Sequence, residues 1–397
     1  MGSPFSYSRS DLPEGWDKRR LGSLLQFRNG QDISGTDNEF ESYPVYGSGG
    51  EFKRTNQYLF DGPSILFGRK GTIDKPLLVD GRFWTVDTMF YTVPGPDVDP
   101  RFVHYWALVA PLSVLSTNTA VPSMTSTDLA QLYLAVPPLP TQRAVADYLD
   151  RETAEIDGMR ADLDEMERLL EERRVSIVQR HVLPEDGTYT RIKLVADVSL
   201  GKTVQKTRKD TSEVLRNYVR AAHIQPYGRL VLDDQPMWFT PNELKQLTLE
   251  AGDVLVVEGG AGYGRSVYLR EELPGWGFQN HVIRVRPWVG ASGRFIDYTI
   301  RAHYGAGLIA ILADGATIPG LSSDKARELP LLNVSFAEQR RIADEIDRET
   351  AEIDSMLEDI TELRDLLVER RAAVISAAVT GQIDIPVSLD NKDEPHA

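Results

Sequence analysis

Two stretches of the chain place apolar residues on a seven-residue repeat. In residues 142–182, Leu149, Ile156, Leu163, Leu170 and Ile177 recur at that interval, and in residues 339–379, Ile346, Ile353, Ile360, Leu367 and Val374 do the same. A second row holds Val145, Met159 and Met166 in the first stretch and Ile342, Met356 and Leu363 in the second. Glu152 and Arg173 interrupt it in one copy, Glu349 and Arg370 in the other. Neither stretch contains proline, and the helix formers Ala, Leu, Glu and Arg dominate. A seven-residue repeat sustained over several heptads predicts a coiled-coil seam, because a helix wound that way keeps one stripe on its partner. The stripe is stable only when covered, and each helix is the other's most available cover. At about 1.5 Å per residue each helix would be roughly 60 Å long.

The two stretches align without a gap, with about half their positions identical, and the octet Asp150 to Asp157 recurs unchanged as Asp347 to Asp354. Identity of that length marks the chain as two copies of one larger unit. A heptad does not require identical residues on its polar face. The identity predicts that both copies present the same surface to the same kind of partner.

Each helical stretch follows a longer segment that alternates turn residues with runs of β-formers. In the first, Tyr58 to Phe67 predicts a turn feeding a strand, Gly68 to Gly71 a tight basic loop, Phe83 to Val93 another strand and Phe102 to Val109 a helix. In the second, Val254 to Val257 predicts a strand, Gly259 to Arg265 a glycine loop and Phe278 to Val285 a strand. Arg294 to Tyr298 echoes Arg101 to Tyr105, and Ala316 to Leu321 echoes Thr119 to Met124. The expected fold is α+β: two repeated globular domains separated by two long helices that form an antiparallel coiled coil, with an internal pseudo-two-fold. The boundaries are 1–141 for the first globular domain, 142–182 for the first helix, 183–338 for the second domain, 339–380 for the second helix and 381–397 for a disordered tail.

Charge changes this picture in one respect. The net charge is −15, yet residues 183–338 balance 18 positive against 18 negative side chains, while the helices and tail carry −12. The acid sits on the helices, and the globular parts keep basic clusters able to meet phosphates. No apolar run approaches the roughly 18 residues of a membrane span. The start, MGSPFSYSRSDLPEGW, has no hydrophobic stretch of the secretory kind. Cysteine is absent, which excludes disulfides and agrees with a cytoplasmic location.

Catalytic patterns are missing. No phosphate-binding GxxxxGK[ST] loop, HExxH helix or GxSxG elbow occurs, and Gly259 to Gly264 lacks the helix that a dinucleotide site needs. Pro137-Pro138, flanked by Val136 and Leu139, is not the Asn/Asp-Pro-Pro-aromatic tetrapeptide of amino-methyltransferases. No catalytic or metal-binding residue is predicted. For DNA contact the candidates are Lys53, Arg54, Asn56, Arg69, Lys70, Lys202, Lys206, Arg208, Lys209, Arg265, Gln279, Asn280 and His281, since Arg reads guanine, and Asn or Gln adenine, with paired hydrogen bonds.

Four local patterns complete the reading. Pro138-Leu139-Pro140-Thr141-Gln142, with Val145 to Asp150, leads into the first helix; Phe336 to Gln339, with Ile342-Ala343, leads into the second. Thr380 to Asp384 leaves it, and Leu12-Pro13 with Gly15-Trp16 opens the chain. Together with the alternation of variable domain and repeated helix, these resemble the specificity subunit of type I restriction–modification systems over nearly the whole chain. The resemblance implies two target recognition domains, each reading one half of a bipartite site on double-stranded DNA, with the helices setting the spacing. It implies two docked methyltransferase subunits carrying S-adenosylmethionine, an endonuclease/translocase subunit, and no catalysis or cofactor on this chain itself. The alternative is a non-catalytic coiled-coil scaffold presenting two ligand-binding domains.

Overall fold

The computed structural model describes residues 12–33, 43–115, 122–260, 262–313 and 320–385. Most of the tail, the start of the chain, Ala261 of the glycine loop and parts of the Thr119 to Met124 and Ala316 to Leu321 echoes lie outside the described residues. The chain divides into two compact units, Met1–Leu163 with Glu362–Ala397, and Asp164–Thr361.

In the first unit, Leu25–Asn29 (β1), Tyr43–Gly47 (β2), Gly50–Thr55 (β3), Ser64–Gly68 (β4), Leu77–Val79 (β5), Arg82–Thr85 (β6) and Met89–Pro94 (β7) build two sheets. One has the order β1-β7-β4-β5; in the other, β2 pairs antiparallel with β3 and parallel with β6. Helix Pro100–Val109 (α1) packs on the first sheet, and helix Leu139–Val182 (α2) follows. The second unit repeats the plan with Ala196–Leu200 (β8), Val214–Val219 (β9), Pro236–Phe239 (β10), Val254–Val257 (β11), Ser266–Tyr268 (β12), Gly277–Phe278 (β13) and Val282–Pro287 (β14). Its sheets run β8-β14-β11-β12 and β10-β9-β13, with β9 and β13 parallel. Helices Gly293–Gly305 (α3) and Phe336–Val379 (α4) complete it. The sequence reading took Phe83 to Val93, and Phe278 to Val285, as single strands. Each is instead two strands in different sheets, broken at Val86–Thr88 and at Gln279–His281.

The division between units falls inside α2 and α4, so each unit holds a portion of both long helices. In the first, Val145 and Leu149 of α2 and Ile375 and Val379 of α4 join Phe67, Phe102 and Trp106 in one core. In the second, Val178 and Val182 of α2 and Ile342 and Ile346 of α4 join Phe295, Ile296 and Ile300 of α3. Within each unit the two helices run antiparallel and exchange matched ion pairs. Asp157 meets Arg371 at 3.5 Å in the first unit, and Asp354 meets Arg174 at 3.1 Å in the second. The charges that interrupt the second apolar row also cross between helices: Glu152 faces Arg370 at 3.7 Å, and Glu349 accepts from Arg180 and pairs with His181.

The repeated octet has an internal cause. Asp150 accepts from the Tyr105 hydroxyl at 2.7 Å and from Arg101 at 2.7 Å, which fastens α1 to α2. Asp347 accepts from Tyr298 and Arg294, which fastens α3 to α4 in the same way. Buried Thr153 and Thr350 each donate to the carbonyl four residues back, at 2.7 and 2.9 Å, so neither hydroxyl is left unpaired. Gln142 and Gln339, both buried, accept from the backbone nitrogens of Asp99 and Ser292, the residues that cap α1 and α3, at 2.9 Å in each case. Of the octet, Arg151, Ala154 and Glu155, and their counterparts Arg348, Ala351 and Glu352, remain on the exposed face. The identity of the octets is thus explained in part by these internal contacts, and the six exposed positions are the part left to present one surface twice.

The latch has a pH signature. Burial, with the bond to the Asp150 carboxylate, pushes the Tyr105 phenol up to about 12. A raised phenol pKa stabilises the fold below the ordinary value of about 10, and that contribution is lost as pH rises through the folded value. Tyr105→Phe should therefore flatten the loss of stability between about pH 10 and 12 relative to the wild type. Denaturant melts at matched pH values test this, and parallel wild-type and variant curves across the window would contradict it.

Candidate nucleic-acid interface

Where the long β-runs break, each unit gathers three or four short loops into a cluster held by backbone hydrogen bonds. In the first unit, Gly30 N donates to Met89 O at 3.0 Å, Gln31 N to Thr85 O at 2.9 Å, Arg69 N to Thr88 O at 2.8 Å and Met124 N to Arg69 O at 3.0 Å. In the second, Gly201 N donates to Val282 O at 3.2 Å, Lys202 N to Phe278 O at 3.0 Å, Glu258 N to His281 O at 2.9 Å and Leu321 N to Glu258 O at 2.7 Å. Isolated bridges match as well, Lys70 with Ser123 and Gly259 with Gly320. The bonds make Gln31 the counterpart of Lys202, Arg69 that of Glu258, Lys70 that of Gly259, and Val86–Thr88 that of Gln279–His281. Glycine is required at the hinge of both clusters. A Cβ on Gly30 would lie 2.0 Å from Val86 O, and one on Gly201 would lie 2.2 Å from Gln279 O.

The clusters bring together Arg69 and Lys70 in one unit and Lys202, Gln279, Asn280 and His281 in the other. Lys70 and His281 are exposed, while Arg69 is half-buried and donates to Asp87 O at 3.3 Å. Lys202 is largely buried: its ammonium donates to Trp238 O at 3.0 Å and pairs with Glu243 at 2.6 Å, so it braces the loop. His281 Nδ1 lies 3.3 Å from Glu258.

Lys53, Arg54 and Asn56 lie apart from that cluster's bonds, on the β2–β3 hairpin and just after it, where Arg54 pairs with Glu51. The hairpin tip still flanks the loop, since Ser48 Oγ lies 3.1 Å from the Cβ position of Gly71. Lys206, Arg208 and Lys209 form an exposed loop next to β10, where the Arg208 guanidinium stacks 5.3 Å from the Trp238 ring. Arg265 is not in the cluster. It lines a cavity of about 560 Å³ with Arg174, Tyr227 and Arg301.

The sequence reading missed an aromatic and basic patch on the first unit's second sheet. Arg82 stacks 4.9 Å from Tyr58, Tyr43 packs on Tyr58 at 5.4 Å, and Phe52 is 58 % exposed. Aromatic rings beside guanidinium groups suit stacking on bases and sugars. Of the missed loop residues Gln31, Asp87, Thr88 and Glu258, Asp87 and Thr88 carried a signal, a polar break inside an otherwise β-forming run. Among the described residues no cluster of metal-ligating side chains occurs, and no helix is long and apolar enough to cross a membrane.

Three comparisons bear on identity. Residues 13–168 match the family described as the type I restriction modification DNA specificity domain. The type I restriction enzyme EcoDI specificity subunit of Escherichia coli is 22% identical over 175 residues, which span 43% of this chain and 38% of that protein. A chain solved in work on the structural basis of complex assembly and conformational transition of the type I R-M system is 16% identical, with a TM-score of 0.67 over 94% of this chain and 99% of that one. The type I restriction–modification S subunit of M. genitalium is also 16% identical, over 97% of this chain and all of that one, with a TM-score of 0.42. The solved chain with the TM-score of 0.67 shares this fold, and residues 13–168 are similar to the type I restriction modification DNA specificity domain.

Proposed function

We propose that this chain is the sequence-reading subunit of a type I restriction–modification assembly. Each globular domain reads one half of a bipartite site on duplex DNA, α2 and α4 set the interval between the halves, and the chain itself performs no covalent step. The observation that carries this is the duplication: one sheet topology and one loop frame occur twice, on a repeated pair of helices, with different side chains presented. A two-part target on a two-fold duplex calls for such an arrangement. The exposed remainder of the octet, Arg151, Ala154 and Glu155 with Arg348, Ala351 and Glu352, offers two copies of one face. That supports docking of two methyltransferase subunits, which would supply S-adenosylmethionine, beside an endonuclease/translocase subunit.

Single-molecule sequencing of adenine methylation, in cells co-expressing the chain with its methyltransferase subunit, tests this reading. The expected result is one methylated motif in two short halves with a fixed, unspecified interval. A stable complex that methylates no such motif would overturn it.

A further inference from the structure

We infer that half-site specificity resides in the two strand-breaking triplets, Val86–Thr88 in the first unit and Gln279–His281 in the second; this rests on the function proposed above. The frame around each triplet is built from backbone bonds, to which the Arg69 guanidinium adds one bond to Asp87 O in the first unit. Gly201 N, Lys202 N and Glu258 N bind the carbonyls around the second triplet, and their counterparts bind those around the first. The triplets are thus fixed in place largely by backbone groups, whatever side chains the triplets themselves carry.

Their side chains are free to differ, and they do. Asp87 stands where the other unit has Asn280, and Thr88 where it has His281. Among the described residues no hydrogen bond engages the side chains of Asp87, Thr88, Gln279 or Asn280, whereas the neighbouring Lys202 is taken up by Glu243. Polar side chains with unspent donors and acceptors, held on a rigid backbone at a surface break, are what direct readout of base edges requires. An amide offers both a donor and an acceptor, the pair that adenine complements, while a carboxylate offers acceptors alone. Arg69 beside Asp87 and Glu258 beside His281 add opposite charge at one frame position, so the two clusters favour different bases.

The test is selection from a randomised duplex DNA library by the full chain co-purified with its methyltransferase subunit. The variants are Asp87→Asn/Thr88→His and Asn280→Asp/His281→Thr, with the near-isosteric Asp87→Asn and Asn280→Asp alone as variants that keep the fold. Each is expected to reduce enrichment of the wild-type bases in one half-site by about ten-fold. The other half and the interval should be unchanged, and the two pairs of variants should act on opposite halves. Unchanged preferences in both halves with DNA binding retained would overturn the assignment of the triplets, as would an equal loss of affinity for every sequence. A wild-type complex that selects no sequence would instead sink the proposed function.

Discussion

Replacing Ile156 by Asp is expected to cost the first unit about 4 kcal/mol or more of stability, enough to abolish its cooperative unfolding transition near physiological temperature. Ile156 is 1 % exposed. The substitution removes a buried aliphatic side chain, worth about 2–3 kcal/mol, and puts in its place a carboxylate that must be hydrated or protonated. Ile353, 4 % exposed in the second unit, should respond in the same way. Met166→Asp is the control, since Met166 belongs to the second apolar row by sequence but is 52 % exposed. It should shift stability by no more than about 0.5 kcal/mol. Chemical denaturation of the three variants decides the matter. Equal effects at Ile156 and Met166 would mean that the seam does not hold the helices.

The second large effect is on the target. Insertion of seven residues after Leu163 and of seven after Ile360, each repeating one local heptad, keeps the apolar stripe in phase. It lengthens each helix by roughly 10 Å. If α2 and α4 set the interval between half-sites, the interval should grow by about three base pairs, at 3.4 Å per step, while the bases read in each half stay the same. Methylome sequencing gives both quantities at once. An unchanged interval would remove the spacing role from the helices, and altered half-site bases would contradict the division of labour between helix and domain.

Much of the frame was visible in the chain as written. Leu149, Ile156, Ile346, Ile353 and Ile360 are buried as the heptads predict, because a strict period admits few other solutions. The second row was less faithful. Val145 and Ile342 are buried, but Met166, Met356 and Leu363 are exposed, and beside Glu152 and Glu349 the buried positions are Thr153 and Thr350, polar residues satisfied by their own helix. Periodicity records where apolar residues recur and cannot tell how far along a helix its partner covers them.

The Arg101…Tyr105 and Arg294…Tyr298 echo was legible, but its partner carboxylates in the octet were not, since that pairing exists only once the helices pack. The loop clusters were hidden for a related reason. Phe83 to Val93 and Phe278 to Val285 have the composition of continuous strands, and what breaks them is the close approach of Gly30 and Gly201 from elsewhere in the chain. The DNA candidates were chosen by residue type, which cannot distinguish Lys202, spent on Glu243, from His281 at the surface.

The paired fastening of α1 to α2 and α3 to α4 has a consequence for how such chains diversify. Each long helix presents a socket of one Gln and one Asp, Gln142 with Asp150 or Gln339 with Asp347, and each globular domain brings a plug of one Arg, one Tyr and a capped backbone nitrogen. The plug uses only a short stretch of the domain and makes no demand on the loops that carry the triplets. A domain with entirely different loops, but with Arg and Tyr four residues apart on the corresponding helix, fits either socket. Exchange of a whole domain would therefore leave the fastening intact wherever the Arg, the Tyr and the capped nitrogen are kept, so the loops can change without the helices having to change with them.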